Sequence, residues 1–322
     1  MNYSVALQRS LWAGTVVDVA YVGALGRHLM WQRNLNAIPF GTDFKPSSAD
    51  PTNPRATLQP QFLRPYAGFQ DISMREWGAS SNYHSLQVTA NRRFTKNLQF
   101  GAAWTWSKAM DYADADTDPV STLIDPRVWN YGLAGFDRTH IAKFNWLWDS
   151  PKLPLRSRVL SQAANYWQFS GVTSFISGPP VAVGLSTVTA TDITGSPTDS
   201  ARVVVTGNPV LPKSERTLTR FFRTDVFQMP AIGTFGNAGR TQLRGPGINN
   251  WDLAIFKNFP IHERIRFQFR CEMYNALNHT QFSGLDAGAR FDAQGRQVNA
   301  RFGQLFSARA PRQIQLALRF YF

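Results

Sequence analysis

The chain has one cysteine, Cys271, among its 322 residues. That excludes an internal disulfide and any multi-cysteine metal site, and on the apolar parity of a strand the residue reads as a small hydrophobe. Long apolar runs are also missing. The longest uncharged stretch, 159–191, contains Asn165, Gln168, Gly178, Pro179 and Pro180, so no membrane helix of about 20 residues fits. The first nine residues, Met1–Arg9, carry no basic n-region and alternate like a strand. Acidic residues are in the minority: 21 Asp and Glu against 34 Lys and Arg, a formal charge of +13. The basic residues are scattered, with no run longer than Arg92-Arg93, and no helix-turn-helix, zinc or RNA-recognition signature accompanies them. Nucleic acid is therefore not the expected partner. A basic internal surface, or an affinity for anionic lipopolysaccharide, explains the charge more simply.

What is abundant is aromatic: 24 Phe, 10 Trp and 9 Tyr. Such residues suit strands, and the last ten residues show how they are used. In Gln313–Phe322, Ile314, Leu316, Leu318, Phe320 and Phe322 share one parity, and Gln313, Gln315, Ala317, Arg319 and Tyr321 the other. A period of two makes this a strand with one apolar face. It runs to a terminal aromatic without a polar tail. The last strand of a soluble β-domain and a membrane-spanning barrel strand of about 9–11 residues both accommodate it.

The rest of the chain favours the barrel. Strands are expected at Tyr3–Leu11 and Thr15–Leu25, then a long connection from Gly26 to Ser80. In the next pair Leu86, Val88, Ala90 and Phe94 alternate with Gln87, Thr89, Asn91 and Arg93. After the turn Thr95-Lys96-Asn97, Leu98, Phe100, Ala102, Trp104 and Trp106 alternate with Gln99, Gly101, Ala103, Thr105 and Ser107. Further strands are expected at Thr139–Trp148, Trp167–Ile176, Trp251–Phe259, Arg264–Tyr274 and Gln313–Phe322. In the eighth, Ile265, Phe267, Phe269, Cys271 and Met273 oppose Arg264, Arg266, Gln268, Arg270, Glu272 and Tyr274. An arginine-lined face fits a wet lumen. The connections run short, long, short, long, medium, long, short, long, as periplasmic turns and extracellular loops alternate in an outer-membrane barrel.

The fold class expected is all-β: about nine antiparallel strands of an outer-membrane β-barrel with long extracellular loops. Leu86, Val88, Phe100, Trp104, Trp106, Ile265, Phe267 and Phe269 are expected to face lipid. Gln87, Arg93, Gln99, Arg266, Gln268, Arg270 and Arg319 are expected to face the lumen. An exported chain needs a leader, so a segment preceding Met1 is expected.

Chemical motifs are weak. Asp114, Asp116 and Asp118 have the D-x-D-x-D spacing of a calcium loop, but Pro119 stands where Gly is needed and Asp125 where the bidentate Glu would be, so a solvated acidic loop is the better reading. The glycines of 236–240 lack the Gly-Lys-Ser/Thr and the strand-to-helix context of a nucleotide site. Asp18, Asp252 and Glu272 lie on different strands without paired spacing, and the five His have no nucleophile partner. Neither catalysis nor a cofactor or metal is expected.

Several stretches together resemble one family. They are Tyr21–Leu29 (YVGALGRHL), Asn82–Gln87 (NYHSLQ), Leu98-Gln-Phe with Trp104–Lys108 (WTWSK), Phe136–His140 (FDRTH), Gly236–Arg240 (GNAGR), Leu243–Gly247 (LRGPG), Trp251-Asp-Leu with Phe256–Phe259 (FKNF), and Tyr274–His279 (YNALNH). In combination they resemble the barrel of TonB-dependent receptors, most closely the Oar-like branch. The resemblance implies a 22-stranded transporter with an internal plug, energised through TonB. It also implies that Ile314, Leu316, Leu318, Phe320 and Phe322 form the signal read by the barrel-assembly machinery. Nothing in the sequence matches the plug, the TonB-contacting box or the regulatory-like domain of that branch. Residues 1–322 are therefore expected to be the C-terminal portion of the barrel, with TonB reached through the plug region. No ligand residue can be transferred. A self-contained small barrel acting as pore or adhesin is the alternative, and a secreted carbohydrate-active enzyme built on β-strands, which the unpaired carboxylates disfavour, a third.

Deleting Phe322, or replacing it with Asp, is expected to block membrane insertion while leaving synthesis intact. Heat-modifiable barrel in outer-membrane fractions measures this, and wild-type levels would contradict the assembly role.

Overall fold

Every backbone N–H and C=O in a strand must find a partner, and the alternating segments find theirs in chain order. The computed structural model describes residues 1–262 and 265–322. Among the described residues nine strands form one antiparallel meander, each pairing with the next. They are β1 (Asn2–Ser10), β2 (Thr15–Asn34), β3 (Ser73–Thr95), β4 (Leu98–Asp111), β5 (His140–Asp149), β6 (Trp167–Ile176), β7 (Ile248–Pro260), β8 (Arg266–Tyr274) and β9 (Gln313–Tyr321). β1 and β9 are the edges, and the short Gly132–Leu133 segment pairs with the far end of β4.

Register decides which side chains share a face, since partners across a ladder point the same way. One row runs Leu7, Val19, Val88, Trp104, Ala142, Phe175. Another runs Phe100, Trp146, Gly171, Leu253, Met273, Ile314. These rows belong to one apolar face that crosses all nine strands. Aromatics cluster at its two ends. Near the short turns, Trp148 lies 5.5 Å from Phe169 and Phe267 lies 4.8 Å from Phe320. Near the long loops, Trp104 stacks on His140 at 5.9 Å and Phe175 meets Trp251 edge-on at 5.9 Å.

Turn chemistry fixes the short connections. Lys96 and Asn97 both have positive φ, 50° and 63°, between the paired Thr95 and Leu98. That is the two-residue turn whose twist matches a hairpin, with Asn tolerating the left-handed conformation. Ala13 (φ 57°) and Gly14 (φ 70°) turn the first hairpin.

Several boundaries differ from those expected. β2 reaches Asn34 and β3 begins at Ser73, so the first long connection is 35–72. Gly26, expected to open the long connection, begins instead an irregularity in register that ends at Leu29, with His28 at φ 53°, after which pairing resumes. At 20 and 23 residues these two strands exceed the roughly 9–11 needed to span a bilayer. Their far ends carry water-compatible chemistry: Arg33 Nε and Nη2 donate to Glu76 at 2.5 and 2.7 Å.

Arg264, expected to begin the eighth strand, lies outside the described residues. Ile265 is in the turn, not in β8: its N–H donates to His262 O at 3.1 Å and its carbonyl accepts from Ile261. Local turn bonding has taken the groups that a ladder would need. Arg93 falls in the register break between Arg92 and Thr95, so alternation does not assign it to the polar row. Phe322 lies one residue past the last ladder pair and is 94% exposed.

The long connections are ordered by a core of their own. Val203, Phe222, Phe291 and Phe302 are buried together with Val183 and Phe227. Phe222 meets Phe302 edge-on at 5.2 Å and Phe227 at 5.8 Å. These residues come from two loops, 177–247 and 275–312, also joined by a parallel ladder of Gly184–Thr187 with Gly288–Phe291. The long connection 177–247 is therefore half of a small packed unit.

Phe222→Ala is expected to remove about 3–5 kcal/mol from this loop core. Hydrogen exchange would register it as faster opening of 177–247 and 275–312 with β1–β9 unchanged. Uniform loss across the sheet would contradict a separate core.

Candidate functional site: the polar wall and its loop canopy

The second face of the sheet is mostly polar, and its best-built part lies on β7, β8 and β9. Gln268, buried, donates to Asn258 Oδ1 at 2.9 Å and accepts from Arg270 Nε at 2.6 Å and from the Tyr321 hydroxyl at 3.2 Å. Arg270 Nη2 also donates to Tyr321 Oη at 3.1 Å, and its guanidinium sits 5.2 Å from the Phe256 ring centre. Arg266 covers Tyr321 at 4.5 Å. Arg319 is register partner to Gln268. Four expected lumen residues, Arg266, Gln268, Arg270 and Arg319, are thus brought into one patch. Gln87 is elsewhere on the face, donating to Ser85 Oγ at 3.1 Å. The face is not uniformly polar: Ile141, Ile176 and Ile248 form an apolar rung at its long-loop end.

Beside the patch, Gln99, Asn145, Asp252, Phe256, Glu272 and Tyr274 line a recess of about 420 Å³. Sequence spacing does not pair Asp252 with Glu272, and only the β7–β8 ladder brings them to the same recess. Asp252 accepts the Asn275 N–H at 2.9 Å. Of the expected outward residues, Trp104, Trp106, Phe267 and Phe269 are exposed, and Leu86, Val88 and Phe100 are half-buried among their ring-bearing neighbours.

Above the wall the loops are pinned by charge. The Asp137 side chain is fully enclosed; it accepts from the Ala109 N–H at 2.6 Å and from Arg244 Nη2 at 2.5 Å. Arg240 pairs with Asp111 and, at 3.1 Å, with Asp114. A charge so placed is tolerable only when paired and hydrogen-bonded. The motifs Phe136–His140, Gly236–Arg240 and Leu243–Gly247 are therefore joints: they supply Asp137, Arg240 and Arg244, which lock loop 177–247 to β4. Gly178 belongs to the same joint, since a Cβ there would collide with the Gly245 carbonyl. Arg202 lies over the Trp129 ring at 4.0 Å; burial, then the neighbouring Arg240, pull its guanidinium down to about 10. The acidic run is likewise structural. Asp118 Oδ2 accepts from the N–H groups of Asp114 and Ala115, and Asp114 serves Arg240 and the Gly135 N–H.

A second joint ties loop 35–72 to loop 177–247. Gly41 and Asp43 donate backbone bonds to Thr194 O and Gly195 O at 2.9 and 3.0 Å, and the Asp43 and Asp192 carboxyls face each other. Burial, then Asp192, push the Asp43 carboxyl up to about 6. One buried oxygen of each carboxyl lacks a donor among the described residues, and protonation of the Asp43 carboxyl supplies one to the pair.

A meander with an apolar face of nine strands' width, aromatic clusters at both ends, and short turns opposite long loops is the wall of an outer-membrane β-barrel. Residues 1–315 match the family model described as outer membrane beta barrel domain, and the chain belongs to that family. It is an outer-membrane protein. No curated protein matches it in sequence. Among solved structures it is similar to the outer membrane transporter YddB from Escherichia coli, with 7% identity and a TM-score of 0.48, covering 100% of this chain and 32% of that one. The chain spans about a third of that structure's length.

Because the folded carboxyl of Asp43 takes up its proton at higher pH than its ordinary value of 3.8, the loop joint is strongest in acid and weakens as pH rises through about 6. Protection of the Gly41 and Asp43 amides, corrected for intrinsic exchange, is expected to be greater at pH 5 than at pH 7.5. Asp43→Asn should flatten that difference, and a pH-independent wild type would contradict the protonation of Asp43 at the joint.

Proposed function

We propose that the chain is a nine-strand portion of the barrel of a TonB-dependent receptor of the Oar-like branch, serving ligand uptake across the outer membrane without catalysis. The observation that carries this is the pairing of the two faces. The apolar face runs from Leu7 on β1 to Leu318 on β9, interrupted within the sheet by Lys257, and meets lipid, while the opposite face presents the Arg266–Gln268–Arg270–Tyr321 patch and the adjoining recess to an aqueous lumen. The loop canopy above the polar face forms the outward entrance. The TonB-dependent part of the reading is supported by the combination of motifs, several of which are joints of the canopy. On this reading the plug, through which TonB acts, lies against the polar face. Lipid and lipopolysaccharide surround the apolar one, and the barrel-assembly machinery reads the alternation of β9.

A self-contained barrel acting as pore or adhesin is the second reading. Among the described residues β1 and β9 each leave one side without a partner in the sheet, and unpaired backbone costs several kcal/mol per group in hydrocarbon. The 322-residue chain alone is therefore expected to give no reproducible single-channel conductance in planar bilayers. A stable, heat-modifiable monomer that conducts would favour the small pore.

The assignment of faces is tested on adjoining strands. Phe267→Arg, on the apolar face, is expected to cost roughly 2–4 kcal/mol if it lies near the bilayer midplane and less towards the interface. Gln315→Arg, opposite Glu272 on the polar face, is expected to be tolerated. Urea unfolding from lipid vesicles measures both, and equal sensitivity would mean that both faces are buried in protein.

A further inference from the structure

The connection between β5 and β6, residues 150–166, differs from the other short turns. It holds a helix, α1 (Arg158–Ala164), capped by Ser157, whose Oγ accepts from Leu160 N at 3.4 Å. It also places a lysine where the rest of the sheet places hydrophobes. Lys257 is register partner to Trp167 and Phe269 on the apolar face. Its ammonium is nonetheless enclosed, with the residue 3% exposed, because Nζ donates to the carbonyls of Gln162 (2.5 Å), Ala163 (3.1 Å) and Asn165 at the end of α1, beside the Trp167 ring. A cation at helix C-terminal carbonyls is a favourable pairing. Geometrically it clamps α1 onto the apolar side of the wall, at the short-turn end.

The clamped segment is amphipathic and one-signed. Leu153, Leu155, Val159 and Leu160 are exposed, Val159 to 78%. Lys152, Arg156 and Arg158 are exposed among them, and 150–166 contains no acidic residue. The neighbouring turns continue the pattern: Arg9 and Arg92 lie on the apolar face at its short-turn end, as Lys257 does, Arg93 and Lys96 follow, and Trp12 is exposed. Apolar side chains interleaved with cations at the margin of a lipid-facing wall suit the headgroup layer, where the first enter the acyl boundary and the second meet phosphate.

We propose that the 150–166 segment, with α1 held by Lys257, is a binding site for anionic phospholipid headgroups at the periplasmic rim of the barrel. This rests on the lipid-facing assignment of the apolar face. The leaflet at the short-turn end is the phospholipid leaflet, and charge complementarity selects its anionic members over zwitterionic ones. Lys257 is a positioning residue here, since its ammonium is spent on the carbonyls of α1.

The test uses the full 322-residue chain in mixed micelles of phosphatidylglycerol and phosphatidylcholine, counting retained lipids by native mass spectrometry. The wild type is expected to retain phosphatidylglycerol in preference by at least about tenfold, given the attraction of each rim cation to an anionic surface. The triple variant Lys152→Gln, Arg156→Gln, Arg158→Gln should lose that preference. Lys45→Gln with Lys213→Gln, exposed at the long-loop end, should keep it. Lys257→Met, which frees α1 while leaving the three cations, should reduce it. Equal retention of both lipids by the wild type, or an unchanged triple variant, would overturn the site. A label at Leu318→Cys in a Cys271→Ala background separates the two levels of the reading. Quenching by brominated acyl chains without headgroup preference overturns the rim site alone, and absence of quenching overturns the lipid face beneath it.

Discussion

Everything in this molecule depends on the backbone of nine strands being paired laterally in a setting where water cannot substitute for a missing partner. The antiparallel ladder meets that demand strand by strand, and its register then dictates the rest. Because side chains alternate strictly, pairing Leu7 with Val19 and Val19 with Val88 commits every strand to the same division of faces. A slip of one residue in any ladder would carry arginine-lined positions such as Arg266, Gln268 and Arg270 onto the apolar face. The cost of that slip makes the register specific.

The exceptions to the alternation lie at the margins. Arg9 and Arg92 occupy the apolar face at the short-turn end, and His84 and Lys108 at the other. Lys257, near the short-turn end of β7, is the one supplied with a dedicated set of acceptors from α1. Charge near a headgroup layer is cheap, because long side chains reach water or phosphate, whereas charge deeper in hydrocarbon must be paired. The loops use the opposite arrangement. There water is available outside, and the buried Asp137 and Asp111 are held in ion pairs with the half-buried Arg244 and Arg240 that fix direction, while the Phe222–Phe227–Phe302 triad supplies apolar burial. Wall and canopy are thus held by different forces, and each can loosen without the other.

The recess beside Glu272 and the Asp43–Asp192 joint show how chemistry reaches a site in such a fold. Strands space neighbouring side chains on one face two residues apart, so a functional patch is assembled across ladders rather than along the chain. The β7–β8–β9 network takes Asn258, Gln268, Arg270 and Tyr321 from three segments.

Sequence by itself determined the nine strands, their alternation and the sequence of short and long connections, because period two and turn chemistry are local properties. It also identified most of the residues of each face, since parity along one strand is inherited by its partners. It did not determine where β2 and β3 end, because an irregularity at Gly26–Leu29 imitates a turn until the partner strand is known. Nor did it reveal the loop core, whose Phe222, Phe291 and Phe302 are far apart in the chain and lie in segments without periodicity. The motifs Phe136–His140, Gly236–Arg240 and Leu243–Gly247 were visible as words, but that they form one joint was decided only when Arg244 met Asp137 across 107 residues. Lys257 is the clearest case. In sequence it interrupts an apolar parity, and only the tertiary fold brings the end of α1 to receive it, because a buried cation needs acceptors that no residue of its own strand can provide.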